Sequence, residues 1–176
     1  IRAACESGWD FSSRWLANQD DLSTIQTTHI VPIDLNCLLY KLETLLSQFY
    51  AELLESELSS KFAAYAQIRR DAINLYLWDE QGGFYHDFDF IQGQKTAIQS
   101  LAACLPLFCE IASDQQAEQI AYKLDNSFLM EGGLVTTLND TAQQWDAPNG
   151  WAPLQYFAVV GLMNYGFAPL SVTIMT

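Results

Sequence analysis

The twelve residues "QWDAPNGWAPLQ", Gln144–Gln155, decide how the rest of the chain is read. Asp146, Pro148, Asn149 and Gly150 are turn formers, by side-chain-to-backbone bonding, a fixed φ or tolerance of left-handed backbone. A helix then begins near Trp151 or Pro153, since proline suits a first turn and Leu154, Ala158 and Leu162 recur on one face. The stretch is therefore a loop feeding a helix. Its unusual feature is Trp145 and Trp151 flanking a carboxylate. An indole offers a broad apolar face and one N–H donor. Such faces beside Gln144 and Asp146 suit a sugar, which presents C–H surfaces for stacking and hydroxyls for hydrogen bonds. The structural alternative is that Asp146, Pro148, Asn149 and Gly150 only build a turn.

The same ingredients recur in "ESGWDFSSRW", Glu6–Trp15. Asp10 stands between Trp9 and Phe11, with Gly8 behind it and Trp15 nearby. A carboxylate walled by aromatic rings is costly to ionise, so such a group is either paired or held protonated to a purpose. Glycine at position 8 allows the backbone to approach a ligand closely. Arg14 is expected to pair away from Asp10, with Glu6 or a sugar hydroxyl.

Between these loops the pattern is helical. Leu35, Leu38, Leu42, Leu45 and Phe49 predict an amphipathic helix over 33–54, opened by Pro32 and Asp34. Phe62, Tyr65, Ala66, Ile73, Tyr76 and Leu77 predict a second over 59–78. Ile98, Leu101, Ala102 and Leu105 predict a third over 95–105, with Pro106 kinking it or opening a new turn. Asp114 is the expected cap of a fourth, ending near Leu124. Residues 1–31 read as irregular. Gly82 and Gly83 predict a turn or small hairpin in "WDEQGGFYHDFDF", whose Asp87 and Asp89 are expected in a solvated or ion-binding hairpin without a catalytic role. The fold class is all-α with long loops, and in such a protein the loops carry function.

Composition narrows the partners. Half of the 176 residues are hydrophobic and 13% are aromatic, which supports a packed core. Acids outnumber bases 21 to 8, for a formal net charge of -13. That charge disfavours nucleic acid and anionic membranes and makes a neutral or cationic ligand easier to accept. Cys5, Cys37, Cys104 and Cys109 form no paired motif, and neither His29 nor His86 lies at metal-ligand spacing from them. Free buried thiols in a reducing compartment, and no metal or cofactor, are the expectation. There is no signal peptide and no apolar run of membrane-spanning length.

Both Trp-rich loops resemble signature stretches of the α,α-trehalases. "TTHIVPIDLNCLLYKLE", "RRDAINLYLWDE", "GGFYHDFD" and "NGWAPLQYFAVVGL" resemble the same family, in family order, so the likeness covers nearly the whole chain, residues 1–176. The resemblance implies an inverting glycoside hydrolase that cleaves trehalose to two glucose molecules. It implies an (α/α)6 toroid barrel, of which 176 residues hold only a part, with small β-hairpins. It assigns Asp10 as general acid, Gly8, Trp145, Trp151 and Asp146 to substrate binding, and no cofactor. A cytoplasmic, monomeric bacterial parent is the expectation. In the family the catalytic base is a Glu well beyond "QWDAPNGWAPLQ", and upstream sugar-binding arginines precede the first motif. The chain stops about 20 residues past "QWDAPNGWAPLQ", so on its own it is expected to be inactive. The alternative is a non-catalytic remnant that binds sugar weakly or not at all; another glycosidase on the same barrel is more distant.

Overall fold

A buried segment, Leu101–Ala112, runs through the middle of the molecule, and the other elements pack around it. The computed structural model describes residues 1–176. Leu101–Ala103, Leu105, Leu107 and Ile111 in this segment are all nearly inaccessible. The segment is a 3-10 turn, Leu101–Cys104, followed by a single α turn, Leu105–Phe108. The expected helix over 95–105 is therefore corrected. Pro106 has no N–H and can only occupy the first turn of a helix, so the α turn starts at Leu105 rather than ending there.

Seven α-helices and seven two-residue strands make up the regular structure. The helices are α1 (Arg2–Ser7), α2 (Ile33–Glu52), α3 (Ser56–Ala72), α4 (Leu105–Phe108), α5 (Asp114–Lys123), α6 (Ala152–Asn164) and α7 (Ala168–Met175). Helices α2 and α3 form an antiparallel hairpin. Arg69 makes two bonds to Glu43 and a third to Asn36 across it, and Tyr50 stacks on Phe62 at 5.6 Å. A π-helical turn, Ile73–Leu77, continues α3, and another, Leu124–Phe128, continues α5. Each hands the chain directly to a strand.

Those strands form small antiparallel pairs, the first of them the hairpin anticipated from Gly82 and Gly83. β2 (Trp78–Asp79) pairs antiparallel with β3 (Phe84–Tyr85), and β6 (Leu129–Met130) with β7 (Gly133–Leu134). A three-stranded antiparallel sheet has the order β1 (Ile30–Val31), β4 (Phe88–Asp89), β5 (Gln94–Lys95), with Ile30 opposite Asp89 and Phe88 opposite Lys95. This sheet matters for the site because it delivers Asp87 to the start of α2. Residue 95, expected in a helix, is instead in its edge strand.

Two boundary readings change at the level of single residues. The cap of α5 is Ser113, not Asp114. Its hydroxyl accepts from the Gln116 N–H while the Gln116 side chain accepts from the Ser113 N–H, a reciprocal box that one residue later could not close. In α2 the stripe Leu35, Leu38, Leu42 is exposed, whereas Ile33 and Cys37 are buried. The helix is apolar on more than one side, so periodicity alone did not select the packed face. No helix is long and apolar enough to cross a membrane.

Candidate active site

Gly8 caps α1 with φ 83°, in the left-handed region, and its N–H donates to the Cys5 carbonyl. Glycine is favoured there by the backbone conformation. A side chain at this position would meet nothing within 4 Å, so the face beside it is open. The chain then enters Trp9–Trp15, and each acid and aromatic of the motif acquires a distinct environment.

Asp10 is partly exposed, and its carboxylate takes no hydrogen bond and no ion pair from the protein. Its backbone carbonyl, by contrast, accepts from Gln144 Nε2, and the Phe11 carbonyl accepts from the Trp145 N–H at 3.0 Å. The two Trp-rich loops, more than 130 residues apart in sequence, thus lie edge to edge. Trp9 and Trp145 have ring centroids 5.1 Å apart, and Trp145 stacks on Trp151 at 4.3 Å with planes within 5°. Trp151 donates its indole N–H to the Gln144 carbonyl, whereas the indole N–H of Trp145 is buried without a partner.

Asp146 is placed differently from the reading that made it a sugar ligand. It is fully buried. Its carboxylate accepts from the Ser12 hydroxyl, the Ser13 N–H and hydroxyl, and the hydroxyls of Thr137 and Thr141, at 2.6–2.9 Å. Five donors occupy both oxygens, which leaves none for a ligand. The residue is a strut that ties the second loop to the first.

Arg14 is also corrected. It bonds neither Glu6, which pairs with Arg2 on the surface, nor an open face. Its Nε and Nη2 donate to Asp87 at 2.6 and 2.8 Å, and its Nη1 and Nη2 donate to Asp34 at 2.8 and 2.9 Å. Asp87 Oδ1 further accepts the N–H of Ile33, the first residue of α2. Trp9 and Trp15 lie 4.4 and 4.5 Å from the guanidinium carbon. Burial would lower the Arg14 pKa, but the two carboxylates more than reverse this and raise it. Burial would likewise raise that of Asp34, yet the Arg14 charge and its bonds hold it below the usual carboxylate range. Asp87 and Asp89 are buried rather than solvated. Asp89 Oδ1 closes a turn by accepting from the N–H groups of Ile91 and Gln92.

Sequence reasoning thus missed Ser12, Ser13, Asp34 and Asp87. A signal was present: an arginine among tryptophans requires acids, and "PIDLN" and "YHDFD" each supply one. The four cysteines are free thiols; Cys37, Cys104 and Cys109 are buried and Cys5 is exposed. No group of three or more His, Cys, Asp or Glu is arranged to hold a metal ion. Of the larger clefts, an apolar groove of about 600 Å³ lies beside α3, and a polar one of about 590 Å³, by β5, borders Arg14, Leu16 and Asp89. Asp10, Trp145 and Trp151 are partly exposed, and Trp9 and Trp15 are buried behind them.

The family model described as Trehalase matches residues 1–176. Among solved structures, the neutral trehalase Nth1 from Saccharomyces cerevisiae is similar over 95% of this chain and 32% of its own, at 26% identity and TM-score 0.82. A GH63 mannosylglycerate hydrolase from Thermus thermophilus is similar in fold over 83% of this chain and 36% of its own, at 21% identity and TM-score 0.73. The helical architecture with small hairpins is thus part of a toroid barrel, and the chain spans about a third of the length of these structures.

Proposed function

Because the chain belongs to the trehalase family, we propose that it supplies the acid half of a site that hydrolyses trehalose with inversion. Glycoside hydrolysis is the chemistry the family implies; trehalose as substrate and the residue roles are our reading. In that reaction the bond from the anomeric carbon to the bridging oxygen breaks. Its electron pair goes to the oxygen, which takes a proton from the general acid. Water attacks the opposite face and loses its proton to a second carboxylate about 6.5–9.5 Å from the first.

The observation that carries the reading is the contrast among neighbouring acids. Asp87 and Asp146 are buried and Asp34 is half-buried, and all three are bonded to protein, whereas the Asp10 carboxylate is bonded to nothing. An uncommitted carboxylate at the head of a row of stacked tryptophans is available to a leaving-group oxygen. In this proposal Trp151, at the outer end of the row, supplies the stacking face, Trp145 backs it from between Trp9 and Trp151, and Gly8 leaves the adjoining face clear. Asp146 acts only by holding the row and the acid together. The base is placed outside these residues, so residues 1–176 alone are expected to release no glucose.

The test measures glucose release from trehalose by the protein translated from the complete reading frame, by residues 1–176 alone, and by Asp10→Asn in the former. The amide keeps the shape and loses the proton, so a fall of about 10²–10⁴-fold is expected, with KM little changed. A fall under tenfold would place the acid elsewhere, and turnover by residues 1–176 alone would show that the base lies within them.

A further inference from the structure

Five planar groups stand in file: Trp15, Arg14, Trp9, Trp145 and Trp151. The buried end is Trp15, and the row emerges toward solvent at Trp151. Arg14 is the member tied by ion pairs to two other elements. Its N–H groups hold Asp34, in the first turn of α2, and Asp87, just before β4, and the Trp9 and Trp15 rings lie 4.4 and 4.5 Å from its central carbon. The guanidinium, fixed by these bonds, packs against the Trp9 ring, and Asp10 is the next residue. Anchoring a loop does not require this. A hydrophobic side chain of similar volume often stabilises as well as a buried ion pair. What a forked guanidinium adds is fixed orientation, because its bonds are paired and coplanar.

Resting on the trehalase reading of Asp10, we infer that Arg14 is a positioning residue for proton donation. It holds the Trp9–Asp10 segment so that the carboxyl group meets the departing oxygen. The Arg14 side chain has no exposed surface, so it acts without touching the sugar.

The inference separates from simple anchoring through the leaving group. Trehalose expels a glucose unit whose bridging oxygen needs the proton; α-glucosyl fluoride expels fluoride ion, which needs little acid assistance. Arg14→Lys keeps the charge but loses the fork and the flat stacking surface. Asp87→Asn keeps the shape and loosens one edge, and serves should the first variant fold poorly. Both are measured in the protein from the complete reading frame. The expected result is a kcat on trehalose lowered about 10–100-fold with KM nearly constant, while turnover of the fluoride falls less than about threefold; small misplacements of a catalytic group can cost this much. A parallel fall on both substrates would reduce Arg14 to an anchor. Asp10→Asn should show the same selectivity, and if it falls equally on both substrates the trehalase reading of Asp10 fails instead. A second readout does not depend on activity: in the protein from the complete reading frame, Arg14→Lys should speed amide exchange at residues 8–16. Unchanged exchange there would overturn the inference.

Discussion

Asp10 and Asp146 each follow a tryptophan in a tryptophan-rich loop, yet they end in opposite states. The difference is set by neighbours remote in sequence. Asp146 meets two serines of the other loop and two threonines of its own, so its charge is dispersed over five donors. Removing it strands those donors in the interior. Asp146→Ala should therefore cost about 3–5 kcal/mol, read as a lowered urea midpoint, because bonds to a charged acceptor are the strong ones. Asp10→Ala, with no bond to lose, should leave the midpoint within about 0.5 kcal/mol of wild type. Equal costs at the two positions would show that the contrast between them is wrong. No property of either dipeptide distinguishes them; the serines at 12 and 13 and the threonines at 137 and 141 were visible only as polar residues near acids.

At the scale of elements, α2, α3, α5 and α6 followed from periodicity, whereas α1 lies in a stretch read as irregular and α4 replaced the helix expected over 95–105; helix ends and packed faces followed from neighbours. Helix α6 reads as apolar nearly all round, and Gly161 within it has no evident purpose in the sequence. In the structure Gly161 faces α4, where a Cβ would stand 2.8 Å from the Phe108 nitrogen and 2.9 Å from the Leu107 Cβ. Glycine is there for close helix approach, with backbone rather than a movable side chain opposite. Gly161→Ala gains helix propensity of roughly 1 kcal/mol, but overpacking typically costs about 1–3 kcal/mol. A net loss of stability is expected, and a thermal midpoint above wild type would show that α4 can move aside. The Ser113 cap offers a simpler case: Ser113→Ala should cost about 1 kcal/mol, whereas Asp114→Ala should cost less.

For the whole molecule, acid should destabilise by two groups of known sign. His86 is held below its ordinary pKa, chiefly by burial, although its Nδ1–H donates to the Thr96 carbonyl at 2.9 Å. Its neutral form is the folded one, so stability is present above about 6.5 and lost as pH falls through the lower folded value. The depressed Asp34 adds a second loss that begins near its unfolded value of about 3.9 and continues through its lower folded one. Thermal midpoints between pH 7 and 5 should fall more steeply in wild type than in His86→Asn, whose amide can still donate but does not titrate; parallel slopes would remove His86 from the account. The open faces bear on stability too. Leu35, Leu38 and Leu42 are about half exposed and Ile68 and Leu75 more so, each forgoing part of the roughly 1.5–3 kcal/mol that full burial brings. Residues 1–176 alone should bind ANS, and a sharp thermal transition without dye binding would argue against this. The sequence by itself determined the helical class, the two Trp-rich loops and the family, because these rest on local periodicity and on long runs of residues in order. Only the tertiary structure decided which acid is free, what Arg14 holds and which side of α2 is packed, because each depends on partners that meet through space: Asp34 and Asp87 around Arg14, and Asp146 beneath Ser12 and Ser13.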